Sequence, residues 1–201
     1  MDMRARTGHP ILDVIADRWS PHAYEPRPVP PADLRSLFEA ARWAPSSYNE
    51  QPWRFVAVTR DDEAAFGRAL ACLVDANRAW AQDAGALFFA VAARSFARNG
   101  KPNGKALYDL GQAVAMLSIE AATRGLTVHQ MGGIDPEAAR AAFRVPGEYD
   151  VITAVAVGYA AAPNAGGAGA RRRRDLAGTV FGAAWGEPAR FLCARGSDNV
   201  D

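Results

Sequence analysis

The chain has 201 residues with a formal net charge of +1, and 49% of its residues are hydrophobic and 22% charged. This composition is typical of a globular protein, and the near balance of charges gives no support to a nucleic-acid partner. The two cysteines, Cys72 and Cys193, are far apart and show no metal-ligand spacing, so we interpret them as unpaired thiols in a reducing compartment.

The start of the chain lacks the apolar segment of a secretory signal, and we expect a cytoplasmic protein. Residues 151–170 carry no charge, but the proline, asparagine and glycines in their second half argue against a membrane span. We interpret this stretch as a buried strand followed by a flexible connector.

Apolar residues recur at helical spacing in some segments and form short continuous runs in others. Helices are predicted at residues 11–18, 31–42, about 61–82, 106–124, and after a cap at Asp135 with Pro136 in the first turn. Strands are predicted at residues 54–59, 86–93, 126–131 and 150–159. This pattern predicts an α+β fold, with a mixed central sheet of about four or five strands flanked by helices.

A dense polar segment separates the second predicted helix from the first predicted strand. Residues 44–53 read APSSYNEQPW, and the two prolines prevent the preceding helix from continuing. Its neutral hydrogen-bonding side chains suit a heterocycle with donors and acceptors around an uncharged edge. These side chains belong to Ser46, Ser47, Asn49 and Gln51. The same composition is also typical of a polar turn with helix-capping serines.

Three further patterns are each ambiguous alone. Arg18 and Ser20 place a guanidinium and a hydroxyl near a helix end, where they could hold a phosphate or simply lie on the surface. Alternate arginines at residues 171–174 could bind the same phosphate or form a solvated basic patch. The Gly132–Gly133 pair could let backbone N–H groups approach a planar ring, or form a plain tight turn.

Other kinds of site find no support in the sequence. No GxGxxG follows a strand and no Walker loop occurs, while His9, His22 and His129 show no ligand spacing, so no metal site is predicted. Taken together, the polar segment, the arginines and the glycines indicate one ligand with a phosphate at one end and a neutral ring system at the other. Flavin mononucleotide (FMN) fits that description.

The string APSSxNxQPWRF at residues 44–55 resembles the nitroreductase family of FMN-dependent flavoproteins. Shorter supporting motifs occur in the family's order along the chain, and they lie at residues 18–20, 109–113, 132–133, 157–159 and 171–173. The similarity extends from about residue 11 to residue 176.

The resemblance implies one nitroreductase-like domain over residues 1–201, which forms an intertwined homodimer and holds each flavin between two subunits. Residues 160–201 would be a connector and a C-terminal extension that packs on the partner subunit. Trp19 and His22 stand where the family commonly has arginines, so the phosphate would rely more on the C-terminal arginines.

The resemblance also implies a set of cofactor-binding residues, with no catalytic side chain and no metal. The phosphate would be held by Arg18, Ser20, Arg171 and Arg173. The polar segment would reach the ring or ribityl chain partly from the other subunit, and the glycines would lie near the ring. The implied set is Arg18, Trp19, Ser20, His22, Pro45, Ser46, Ser47, Asn49, Gln51, Gly132, Gly133, Arg171 and Arg173.

The implied activity is ping-pong hydride transfer through flavin N5, from NADH or NADPH to a nitroaromatic, a quinone or a related acceptor. A specialised flavin redox enzyme is an alternative: a dehydrogenase, a dehalogenase or a flavin-degrading enzyme. A protein that binds or sequesters FMN without turnover is another, and a structural dimer without flavin is a third.

Overall fold

The computed structural model describes residues 3–161 and 171–193, except for the side chain of Cys193. The chain divides between residues 169 and 170 into two compact units, and all four strands lie in the first. Much of the predicted connector, residues 162–170, lies outside the described residues. Packing of the C-terminal extension on a partner subunit stays a prediction.

The helices and strands of the described residues are numbered in chain order. The helices are α1 (Asp13–Asp17), α2 (Pro31–Arg42), α3 (Glu63–Ala71), α4 (Asp75–Ala81), α5 (Ala106–Thr123), α6 (Pro136–Phe143) and α7 (Arg190–Cys193). The strands are β1 (Trp53–Thr59), β2 (Ala86–Ala93), β3 (Thr127–Met131) and β4 (Tyr149–Gly158). Short 3-10 helices occur at Ser47–Asn49 and Leu176–Gly178.

The four strands form one sheet in the order β1-β2-β4-β3, which confirms the predicted α+β fold. The prediction of a mixed sheet is wrong for the described strands, because β1–β2, β2–β4 and β3–β4 all pair antiparallel. The continuous apolar run of β2 indicates that the strand is buried on both faces. Such burial is usual in parallel sheets, but it does not determine strand direction. Here helices cover both faces of an antiparallel sheet.

Alternate side chains of β2 enter two separate cores. Phe88 packs on one face with Leu37 of α2 and Leu117 of α5. Leu87 and Phe89 point to the other face, where α3, α4 and α6 cover the sheet. This two-sided burial explains why nearly every residue of β2 is buried.

The helical region predicted from about residue 61 to 82 consists of two helices, α3 and α4. The chain breaks after α3, where Leu73 forms an isolated β-bridge with Ile134. The amide of Asp135 donates to the Cys72 carbonyl (2.8 Å), and the amide of Val74 donates to the Gly133 carbonyl (3.1 Å). The break therefore ties the α3–α4 linker to the turn after β3, and local helical spacing carries no signal of this distant partner.

The start of α6 is as predicted. The side chain of Asp135 accepts hydrogen bonds from the amides of Glu137 and Ala138, and Pro136 occupies the first turn. Asp135 thus satisfies two of the donors that a helix start leaves unpaired. Cys72, just upstream of α4, is buried and free, as predicted for a thiol without a disulfide.

Helix α5 buries one face on the sheet and exposes the other. Leu110, Val114 and Leu117 are almost completely buried, whereas Leu107 is 59% and Tyr108 70% exposed. The apolar spacing that predicts this helix does not show which of its faces other parts of the protein cover. Within residues 3–161 and 171–193, no helix is long and apolar enough to cross a membrane.

Candidate functional site

The polar loop, residues 44–52, adopts an unusual backbone before it enters β1. Tyr48, Asn49 and Gln51 have φ angles of 56°, 55° and 51°. Such left-handed conformations are uncommon for residues other than glycine, and clusters of them occur at functional sites where surrounding contacts enforce them.

Hydrogen bonds inside the loop stabilise part of this backbone. The Ser46 hydroxyl accepts from the amide of Gln51 (3.0 Å), and the Gln51 side-chain amide donates to the Asn49 carbonyl (3.2 Å). Pro45 and Asn49 remain exposed. Two of the predicted ligand-binding side chains therefore help to shape the loop, while Pro45 and Asn49 face solvent.

A residue in the N-terminal part of α5 holds the polar loop through a hydrogen bond. Asp109 is only 2% exposed, and its carboxylate accepts a hydrogen bond from the amide of Ser47 (3.0 Å). It lies in the first turn of α5, where the helix dipole favours a negative charge. The sequence prediction did not include Asp109 among the site residues, although a carboxylate within an apolar helix was a signal for it.

The segment after β2 packs against the same loop. The amide of Ala97 donates to the Glu50 carboxylate (2.6 Å), and the Tyr48 ring meets Phe96 edge-on at 5.9 Å. The guanidinium of Arg98 lies 4.1 Å from the centre of the Tyr48 ring. The strained loop is thus held between α5 and residues 94–105.

A cationic cluster forms where α1 ends. The Arg18 guanidinium donates to the Ser20 hydroxyl at 3.3 Å. His22 follows, and its ring lies 4.6 Å from that of His129 on β3 and 5.4 Å from that of Trp80 on α4. The structure thus brings Arg18, Ser20 and His22 together, and adds two residues that the sequence prediction did not place there.

The surroundings of His129 disfavour its charged form. Burial lowers the pKa of His129, and the nearby His22 and Arg18 lower it further. A hydrogen bond between Nδ1 of His129 and the Pro21 carbonyl (2.7 Å) acts in the opposite direction. Trp19, which follows Arg18 in the sequence, is half-buried.

The two glycines after β3 have different surroundings. A Cβ atom added at Gly133 would lie 2.6 Å from Nδ2 of Asn77 and 2.8 Å from a methyl group of Val74. Packing against these two side chains therefore requires glycine at this position. A side chain at Gly132 would meet nothing within 4 Å. Only Gly132 therefore offers open space above its backbone.

The two halves of the predicted site lie at opposite edges of the sheet. The polar loop leads into β1 at one edge, while Gly132 follows β3 and His129 belongs to β3 at the other. Three strand spacings of about 4.8 Å separate these edges by roughly 14 Å. A single chain does not bring the two halves into contact through its sheet.

The remaining predicted residues, Arg171 and Arg173, lie in the second unit ahead of its 3-10 helix. Their contribution to the cationic cluster stays a prediction. Within residues 3–161 and 171–193, no group of three or more His, Cys, Asp or Glu side chains could hold a metal ion.

The sequence matches the nitroreductase family over residues 15–159, and the chain belongs to that family. It is 34% identical over 186 residues to an NADH dehydrogenase of Thermus thermophilus, covering 76% of this chain and 89% of the relative. A crystal structure described as an oxidoreductase containing FMN is similar, with a TM-score of 0.83 and 28% identity over 90% of this chain and 96% of the other. These findings confirm the predicted family and fold.

A shorter similarity links this chain to the major NAD(P)H-flavin oxidoreductase of Aliivibrio fischeri. The two sequences are 39% identical over 54 residues, which cover 26% of this chain and 25% of that protein.

We predict that Asp109 stabilises the polar loop through its bond to Ser47. Asp109→Ala would leave the half-buried N–H of Ser47 without this partner, at a cost of about 1–3 kcal/mol in the free energy of unfolding. Asp109→Asn retains an acceptor oxygen and should cost less. Urea unfolding measures the stability, and hydrogen exchange of the amides at residues 45–51 measures the loosening of the loop. Equal effects of the two substitutions would show that this hydrogen bond contributes little.

Proposed function

We propose that this protein is an FMN-dependent oxidoreductase that takes electrons from NADH or NADPH and delivers them to a small acceptor, such as a nitroaromatic or a quinone. Family membership and the two flavin-linked relatives support this function. The observation that carries it is the division of the site into one neutral, strained polar loop and one cationic cluster. That division matches a cofactor with an uncharged ring system and a phosphate.

The chemistry of the donor set fits FMN at both ends. Arg18, Ser20 and His22 would hold the phosphate, because a guanidinium and a hydroxyl form charge-assisted bonds with phosphate oxygens. Gly132 would let the ring lie close to its backbone, and the exposed Asn49 would offer its side-chain amide to the ring or ribityl chain. When bound, FMN supplies the hydride-accepting and electron-donating chemistry.

We assign no catalytic side chain. The protein residues would bind the ring, orient it and exclude water, because hydride transfer between stacked rings depends on an approach of about 3–3.5 Å. The acceptor and the preferred nicotinamide depend on the space that the polar loop and residues 94–105 leave above the ring.

The site is proposed to be shared between two subunits of a cytoplasmic homodimer. The polar loop and the cationic cluster lie at opposite sheet edges in one chain, so the loop of one subunit would complete the site of the other. The exposed apolar face of α5 supports this arrangement. Leu107 and Tyr108 lie on that face near the loop, whose own Tyr48 is 74% exposed. Exposed apolar surface of this kind marks association sites.

The decisive experiment is an absorption spectrum of protein saturated with FMN, followed by anaerobic addition of NADH or NADPH. We expect flavin bands in the blue that bleach with at least one nicotinamide and return when menadione or a nitrofuran is added. Tight binding without bleaching would favour the sequestering function instead. Absence of FMN binding would contradict the proposal as a whole.

Gly132 and Gly133 form a matched pair for testing where the ring lies. Gly132→Ala adds a methyl group in open space, so the stability should change by less than about 0.5 kcal/mol. The same methyl group should hold the ring away and weaken FMN binding by at least about tenfold. Gly133→Ala should instead destabilise the protein by about 1–3 kcal/mol through overpacking. Unchanged FMN affinity in Gly132→Ala would contradict this placement of the ring.

Leu107 tests the dimer. Leu107→Glu puts a charge on the apolar face of α5 but leaves helix α5 intact, because an acidic residue in the first turn suits the helix dipole. We expect sedimentation velocity to show a monomer that has lost its flavin. Ala64→Glu, an equivalent change at an exposed position on α3, should remain dimeric and yellow. A Leu107→Glu dimer that retains FMN would exclude this face as the interface.

A further inference from the structure

Two histidines from distant parts of the sequence share one environment. The rings of His22 and His129 lie 4.6 Å apart, and the Trp80 ring contacts both, with its centre 5.4 Å from that of His22 and 4.6 Å from that of His129. The pair lies in the cationic cluster that also contains Arg18 and Ser20. A ring contact of this closeness disfavours a positive charge on both histidines at once.

The hydrogen bond to Pro21 identifies the tautomer of His129. A carbonyl oxygen can only accept, so Nδ1 of His129 carries the hydrogen and donates it across 2.7 Å. The proton that His129 gains when it becomes charged therefore binds at Nε2. The bond also ties β3 to the segment that carries Ser20 and His22.

His22, from the segment that follows α1, and Arg18, at the end of α1, both lower the pKa of His129. Tyr24, the other titratable side chain packed here, is buried, and its hydroxyl donates to the Ala156 carbonyl at 3.2 Å. Burial raises the pKa of the Tyr24 phenol, so Tyr24 remains neutral. Within residues 3–161 and 171–193, both groups that act electrostatically on His129 oppose its protonation.

We propose that His22 and His129 form a proton-linked phosphate site, in which binding of a phosphomonoester dianion draws one proton from solvent onto the pair. The inference rests on the proposed function, because it places the FMN phosphate beside Arg18. An anion there would offset the repulsion that now opposes protonation, and an opposite charge within a few ångströms favours the charged form of a histidine. His129 would then select FMN over riboflavin, which lacks the phosphate.

The sign of the linkage follows from the direction of the pKa change. Since the bound anion raises the pKa of the pair, binding is tighter at low pH and weakens as the pH rises above the pKa of the bound state. The preference for FMN over riboflavin should therefore increase when the pH is lowered from about 8 to about 6.5, by at most about tenfold per pH unit.

Calorimetry of FMN binding in two buffers of different ionisation enthalpy counts the protons. We expect net uptake with FMN and none with riboflavin. The phosphate of FMN has a second pKa of about 6, and a more fully ionised bound phosphate would release protons, which is the opposite sign. Uptake should disappear in His22→Gln and in His129→Asn, whose amide can still donate to the Pro21 carbonyl. His9→Gln, at an exposed histidine, should behave like the wild type.

The outcomes separate the two proposals. FMN binding with the same proton count in the wild type and in both histidine variants would overturn the proton-linked site and leave the proposed function intact. Absence of FMN binding would contradict the proposed function. In that case, NMR titration of the histidine rings with inorganic phosphate still decides the question: a higher pKa of His129 with phosphate supports the site, and an unchanged pKa refutes it.

Discussion

The position of β4 between β2 and β3 is the constraint on which the rest of the site depends. It sends β1 to one edge of the sheet and β3 to the other. The polar loop therefore cannot reach Gly132 or the cationic cluster along the sheet of its own chain. A dimer removes the difficulty, since the loop of one subunit can face the β3 edge of another. Strand order thus supports the proposed shared site by an argument that is separate from the family resemblance.

Much of the fold was predictable because its elements bury apolar residues in simple patterns. The predicted strands at residues 86–93 and 150–159 agree with β2 and β4 to within one residue at each end. Strand direction was not predictable, since a run buried on both faces looks the same in parallel and antiparallel sheets. The break between α3 and α4 was missed because its cause is a bridge from Leu73 to Ile134, far away in the sequence.

The site was predictable where its residues are contiguous and hidden where they converge through folding. The polar loop is one continuous string, so its chemistry could be read directly. His129 looked isolated in the sequence, and folding brings its ring to 4.6 Å from that of His22. Asp109 looked like part of an apolar helix, yet its buried carboxylate fixes the loop. In both cases the informative contact joins segments that no local pattern connects.

The strained loop and the cationic cluster obtain their geometry in different ways. Tyr48 and Gln51 adopt left-handed conformations that cost of order 1–3 kcal/mol each, so outside contacts must hold them in place. Asp109 and the segment after β2 supply those contacts. The cationic cluster instead disfavours the charged form of His129, because burial and the nearby His22 and Arg18 lower its pKa, and a bound anion would oppose that effect. The contacts of the loop are thus in place without a ligand, whereas the proposed role of the cluster depends on the charge of a ligand and on the proton that would accompany it.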